Sequence, residues 1–279
     1  HQLPEAPGRP WAKPSGLPEP AAQLLADLST EIAVHRDSER PFVLLSFATS
    51  MDGFIAGVRK TPGGDLERHA VALSGEASMR MTHHMRGCVD AILVGVGTVR
   101  VDDPRLDVRE EGAGRSPRPV VLDSELRTPP ACKLLAHEAE GGRPPTFVLC
   151  TDEGFGASGP SAARTPKAER AAALEAAGAV VLRCRADAAG RVCLEDAWRV
   201  LRKAGVGSVM VEGGAEVIVS LLRGASGADR VVVTQAGTIL GSGVPWAVPG
   251  CRPLEQVRSF TLGPDAVFSA TPGEAPGIE

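Results

Sequence analysis

The chain is 279 residues long, 43% hydrophobic and 23% charged, enough apolar material for one sizeable core or two small ones. Its 30 basic and 34 acidic side chains leave a net charge of −4, which argues against the basic footprint of a nucleic-acid binder, and no run of 18 apolar residues is present to span a membrane. There is no tyrosine, which excludes reductases that protonate through a tyrosyl hydroxyl and argues against a stacking platform for single-stranded nucleic acid.

No secretory-signal pattern follows His1. The six cysteines (Cys88, Cys132, Cys150, Cys184, Cys193, Cys251) include no C-x-x-C pair, so zinc knuckles and thioredoxin-type motifs are unsupported. The expectation is reduced, mostly buried thiols in a cytoplasmic protein.

In chain order, residues 1–20 carry six prolines without apolar periodicity and read as an extended arm, followed by a short amphipathic helix over 21–34. We divide the chain into this N-terminal segment (1–40) and a single domain (41–279). From Pro41, strands are expected at 42–48, 91–96, 119–123, 146–150, 179–184, 208–211 and 230–235. Runs such as AILVGV, SVMV and RVVV suit strands covered on both faces, as in a mostly parallel sheet. Helices fit at 75–87, 166–178, 195–205 and 214–223, the last three with glycine at or near an end. The alternation is the βαβ signature of an α/β domain. Segments 110–118, 152–166 and 237–253, rich in Gly, Ser and Pro, read as loops.

Several segments could carry chemistry. Ser50-Met-Asp-Gly53 follows a hydrophobic strand, and Asp52-Gly53 reads as a turn. In AILVGVGTVRVDDPRL (91–106), a buried strand ends at Gly95-Val-Gly97, where backbone amides can approach a ligand. Arg100 occupies the sixth position of the glycine pattern, so this is not the Rossmann fingerprint. Asp102-Asp103 is more plausible as a ribose hydroxyl acceptor with a cap or turn than as a metal pair, and no metal is expected. In SVMVEGGAEVI (208–218), strand, two glycines and helix start make an anion site suited to a nucleotide diphosphate, with Glu212 at the strand's end. On the helix over 75–87, adjacent His83 and His84 point about 100° apart and cannot chelate together; they read as a surface or capping pair. Arg86 could bind a phosphate bidentately. His137-Glu-Ala-Glu140 suggests a deaminase zinc motif, but no P-C-x-x-C follows.

Together, SFATSMDGFIAG, LSGEASMRMTHHMRGCVDAILVGVGTVRVDDPRLDVR, RPVVLDSELRTPPACKLL and VMVEGGAEVIVSLL resemble the riboflavin-pathway pyrimidine reductases, over roughly residues 41–243. They are most similar to the stand-alone fungal and archaeal form, and the SMxMTHxxR segment looks like the fungal type. The resemblance implies a dihydrofolate-reductase-like α/β fold, a mostly parallel central sheet with helices on both faces, in a homodimer. It implies NADPH as hydride donor and a ribosylaminopyrimidine 5′-phosphate as substrate, whose open-chain imine at C1′ is reduced to a ribityl group. It assigns cofactor contacts to Ala48, Thr98, Asp102, Ser124, Gly213, Gly214, Ala215, Glu216 and Val217, and substrate contacts to Arg86, Leu106, Arg109 and Glu212. A W-I-T tract of the bacterial enzymes is replaced here by Ala72-Leu-Ser74, so nicotinamide packing at that point does not carry over. The alternatives are a related reductase of another pterin or pyrimidine, or a nucleotide-binding module without turnover.

Overall fold

The computed structural model describes residues 16–136, 144–155, 165–223, 227–246 and 252–274. Seven strands run parallel: β1 (Phe42–Thr49), β4 (Ala91–Gly95), β5 (Arg118–Leu122), β6 (Phe147–Thr151), β7 (Val180–Cys184), β8 (Ser208–Gly213) and β9 (Arg230–Gln235). With an antiparallel hairpin, β11 (Leu254–Leu262) and β12 (Asp265–Pro272), they form a nine-stranded sheet in the order β11-β12-β9-β1-β8-β4-β5-β6-β7.

The apolar runs explain the layering. Successive side chains of a strand point to opposite faces. Ile92 and Val94 of β4 enter one core while Ala91 and Leu93 enter the other. On the first face lie α1 (Glu19–Val34), α2 (Glu76–Cys88) and α4 (Pro166–Ala176), contributing Leu24, Leu25 and Leu28, Met81 and Met85, and Leu174. The second face is covered by α5 (Leu194–Lys203) and α6 (Ala215–Arg223), through Trp198, Leu201, Ile218 and Leu221. A mostly parallel α/β sheet with helices on both faces is therefore the observed architecture. The buried face of α1 belongs to the same core as the sheet. Most of the 1–20 arm, and His137 to Glu140, lie outside the described residues.

Other elements depart from the expected string. The strand expected over 91–96 ends at Gly95, and a short helix, α3 (Val96–Asp102), starts immediately after it. Strands β2 (Phe54–Lys60), β3 (Leu66–His69) and β10 (Gly243–Pro245) form a separate antiparallel sheet, the last of them inside the expected loop 237–253. The turn at Asp52-Gly53 is present, and it also reaches across the fold. Asp52 accepts hydrogen bonds from the amides of Leu240 (3.1 Å) and Gly241 (2.7 Å), while Ser50 Oγ accepts from Phe54 (3.0 Å).

His83 and His84 are not at the surface. Both are buried on α2, whose Gly87 lies so close to a neighbouring loop that a Cβ would fall 1.5 Å from the Ala113 carbonyl oxygen. With that loop seated on the helix, the imidazoles are covered. The described cysteines are free thiols, and burial pushes Cys150 up to about 11 and Cys184 to about 12. Among the described residues, no helix is long and apolar enough to cross a membrane.

Candidate active site

The carboxyl ends of β4, β5 and β8 open into one cavity of about 970 Å³. Three chain segments build its floor. After β8 come Gly213 (φ 125°) and Gly214 (φ 93°), a left-handed pair that glycine adopts without cost, and α6 then starts with its first amides at the cavity. Gly214, Ala215, Glu216 and Val217 line the wall. After β4, Gly95 to Thr98 line it as well, and Thr98 Oγ1 is buried with no hydrogen-bond partner among the described residues. A buried hydroxyl left unsatisfied at a cavity wall has hydrogen-bonding capacity for a ligand.

The third segment follows β5. Ser124 lines the cavity, and its Oγ accepts from the Val192 amide at 3.0 Å. Its carbonyl accepts from the Thr151 amide (3.3 Å) and hydroxyl (3.2 Å). Thr151 Oγ1 in turn accepts from the buried ammonium of Lys167 at 2.6 Å. These bonds tie the ends of β5 and β6 to the segment between β7 and α5. That last segment was missed in sequence. It supplies Asp187, Arg191 and Val192 to the wall, and Asp187 Oδ1 accepts from the amides of Ala189 and Arg191, both at 2.9 Å. The D-A-A-G-R string between a strand and a helix is the signal that could have found it. Arg68, Arg127 and Arg223 also line the cavity and were not foreseen.

The four residues expected to contact substrate lie elsewhere, around the opposite side of β8. Arg86 donates from Nε to Glu212 Oε1 (2.6 Å), from Nη2 to Glu212 Oε2 (2.7 Å) and from Nη1 to the Asp107 carbonyl (2.9 Å). Both side chains of the pair are largely buried. Burial works against the guanidinium's charge, but Glu212 and Asp107 outweigh it and raise the Arg86 pKa. In this structure the guanidinium edge expected to bind a phosphate bidentately is engaged by Glu212. Leu106, at φ 50°, buries its side chain in the first core. The Arg109 side chain is exposed, 3.4 Å from Asp107 Oδ1.

Three expected cofactor residues are not on the cavity wall: Gly213, buried at the end of β8, Ala48 and Asp102. Ala48 is half-buried on β1, paired in register with Thr234. Asp102, the last residue of α3, accepts from Arg68 Nη2 at 3.0 Å. Burial raises the Asp102 pKa, with Arg68 opposing. Asp103 forms the turn, a left-handed cap at φ 39°. Glu212 and Gly214 mark the junction: two positions apart at the end of β8, one joins the buried ion pair and the other the cavity.

An α/β protein that gathers glycine turns, a helix start and an unsatisfied hydroxyl at the carboxyl ends of parallel strands has the arrangement in which α/β proteins bind small molecules. More particularly, this chain belongs to the family described as the RibD C-terminal domain, whose model matches residues 41–268. It is 35% identical over 246 residues to the 2,5-diamino-6-ribosylamino-4(3H)-pyrimidinone 5′-phosphate reductase of Methanothermobacter thermautotrophicus, covering 83% of this chain and 98% of that one. The protein of the same name from Kluyveromyces marxianus is 31% identical over 217 residues, 74% of this chain and 76% of its own. The solved structure of Saccharomyces cerevisiae Rib7, a riboflavin biosynthesis reductase, shares the fold, with a TM-score of 0.71 at 24% identity, over 91% of this chain and 100% of that one.

Proposed function

We propose that the protein reduces the ribosyl group of 2,5-diamino-6-ribosylamino-4(3H)-pyrimidinone 5′-phosphate to the ribityl group, with NADPH as donor, in riboflavin biosynthesis. The observation that carries this reading is the cavity that unites Thr98, Ser124 and Gly214 to Val217, with a buried Arg86–Glu212 pair on the other side of β8. The names of the archaeal and fungal relatives support the substrate.

The residues present fit a nicotinamide dinucleotide. The cavity's volume suits one, and its wall offers the left-handed Gly214, the start of α6 and the unpartnered Thr98 hydroxyl. Gly214 to Val217 would hold the diphosphate, with Thr98 and Ser124 bonding neighbouring groups. Asp102 is joined to the wall only through Arg68, and Ala48 lies apart from it. When bound, NADPH supplies the hydride. The chain's own part is placement and exclusion of water; the open-chain sugar imine is already electrophilic, so no tyrosyl acid is needed. On the substrate side, Glu212 and Arg86 fix the end of β8 and the carbonyl of Asp107, which sets the loop carrying Leu106 and Arg109. The family resemblance also suggests a homodimer; the margin strand β11, with Leu254 and Val257 exposed, is consistent with one.

The test is direct. Purified protein is given NADPH with the diamino ribotide and, separately, with its deaminated counterpart, and loss of nicotinamide absorbance is followed. Faster turnover of the diamino compound is expected. Absence of NADPH binding and of turnover with either compound would overturn the reading.

A further inference from the structure

One buried titratable group near the substrate side has no part in the mechanism above. His83 lies on α2 one turn before Arg86, and its Nδ1 accepts a hydrogen bond from the Arg109 amide at 3.3 Å. Because Nδ1 accepts, the neutral ring carries its proton on Nε2. Arg86 holds the same loop two residues earlier, at the Asp107 carbonyl. Between these points the Val108 amide donates to Ser116 Oγ at 2.9 Å. The backbone from 107 to 109 is thus clamped onto α2, just beyond the left-handed Leu106.

We propose that neutral His83 is a positioning residue that clamps the 106–109 loop for the pyrimidine substrate, and that its protonation releases the clamp. An imidazolium has no acceptor nitrogen, so the Arg109 bond cannot survive it. The charged groups facing the ring are Arg86 on its own helix, Asp107 and Arg109 on the loop, and Glu212 on β8. Burial first, then the two arginines, lowers the His83 pKa, with Asp107 and Glu212 opposing. The ring is therefore neutral near pH 7, and the clamp is lost as pH falls below the ordinary histidine range, about 6.5.

The substrate half of this inference rests on the function proposed above; the clamp itself does not. The test compares His83→Leu, which removes the acceptor, with His83→Asn, whose Oδ1 takes the place of Nδ1 without titrating. By hydrogen exchange at neutral pH, the Arg109 amide should lose protection in His83→Leu and recover it in His83→Asn. KM for the diamino ribotide should rise about threefold to tenfold in His83→Leu, the equivalent of one net hydrogen bond, with kcat within about twofold and NADPH affinity steady in a binding titration. The wild-type KM should also climb as the pH falls below about 6.5, and His83→Asn should flatten that climb. The comparison separates His83 from the substrate phosphate, which titrates near pH 6 in both proteins. Wild-type protection of Arg109 in His83→Leu would overturn the clamp, and an unflattened profile in His83→Asn would overturn its titration. A wild type that never turns over the ribotide, with exchange as expected, would overturn the function and uphold the clamp.

Discussion

Arg86 and Glu212 are withdrawn from water together, so neither is independent of the other. Removing one leaves the partner's charge buried and uncompensated, at a cost of about 3–5 kcal/mol. Arg86→Ala should lower stability by that order in denaturant unfolding, and Arg86→Ala/Glu212→Ala should lose much less than the two single changes added. Activity of the single variants is therefore to be read beside their stability. Gly214 carries a different constraint. At φ 93° an alanine is strained, and its Cβ would meet Thr98 Oγ1 at 3.5 Å. Gly214→Ala should cost about 1–2 kcal/mol in thermal unfolding and weaken NADPH in a binding titration. At this scale, residue types were legible and partners were not. Arg86 and Glu212 both stood out in the sequence, yet nothing in it shows that they pair across 126 positions. His83 and His84 looked exposed because their helix is polar in sequence; the loop that buries them follows much later.

Elements with unbroken apolar runs were the readable ones. The seven parallel strands, α2, α4, α5 and α6 all lie where periodicity and glycine stops put them, within a few residues. The missed pieces have physical reasons. Strand β3 is Leu-Glu-Arg-His, without an apolar face, and β10 is three residues long. Strand β11 is almost wholly exposed, and α3 is seven residues containing a glycine. One element also carries a pH dependence. Asp196, in the first turn of α5, is buried, which works to raise its pKa, but the Arg185 amide and the side chains of Arg199 and Arg185 outweigh this and lower it. A carboxylate held down in the folded state stabilises above its ordinary range, about 3.9, and that stability is lost as pH falls through the lower folded value. Asp196→Asn should therefore unfold in less denaturant than wild type at pH 7, and the gap should close as the pH falls below the ordinary carboxylate range.

For the whole molecule, binding and folding are linked. A ligand that occupies only the folded cavity stabilises by about 2.7 kcal/mol at a hundredfold excess over its Kd. For a chain of this size that is roughly 5–10 °C in Tm. NADPH should raise the melting temperature by that amount, and no shift at saturating concentration would contradict a dinucleotide in this cavity. Strand order was the part of the architecture least legible in sequence. Parallel strands follow from the apolar runs, but the placing of β1 between β8 and β9 depends on contacts between distant parts of the chain.

That placing has a consequence for synthesis. Both neighbours of β1 come from the last third of the chain, with Phe42 facing Ser208 and Thr49 facing Gln235. A ribosome that has released the first two hundred residues has delivered β4 to β7, which can pair among themselves, but β1 emerges early and waits with both edges bare. The centre of the sheet closes only when the final strands arrive. Such long-range pairing is slow, and it gives the nascent chain a long interval in which an apolar strand is open to the wrong partner.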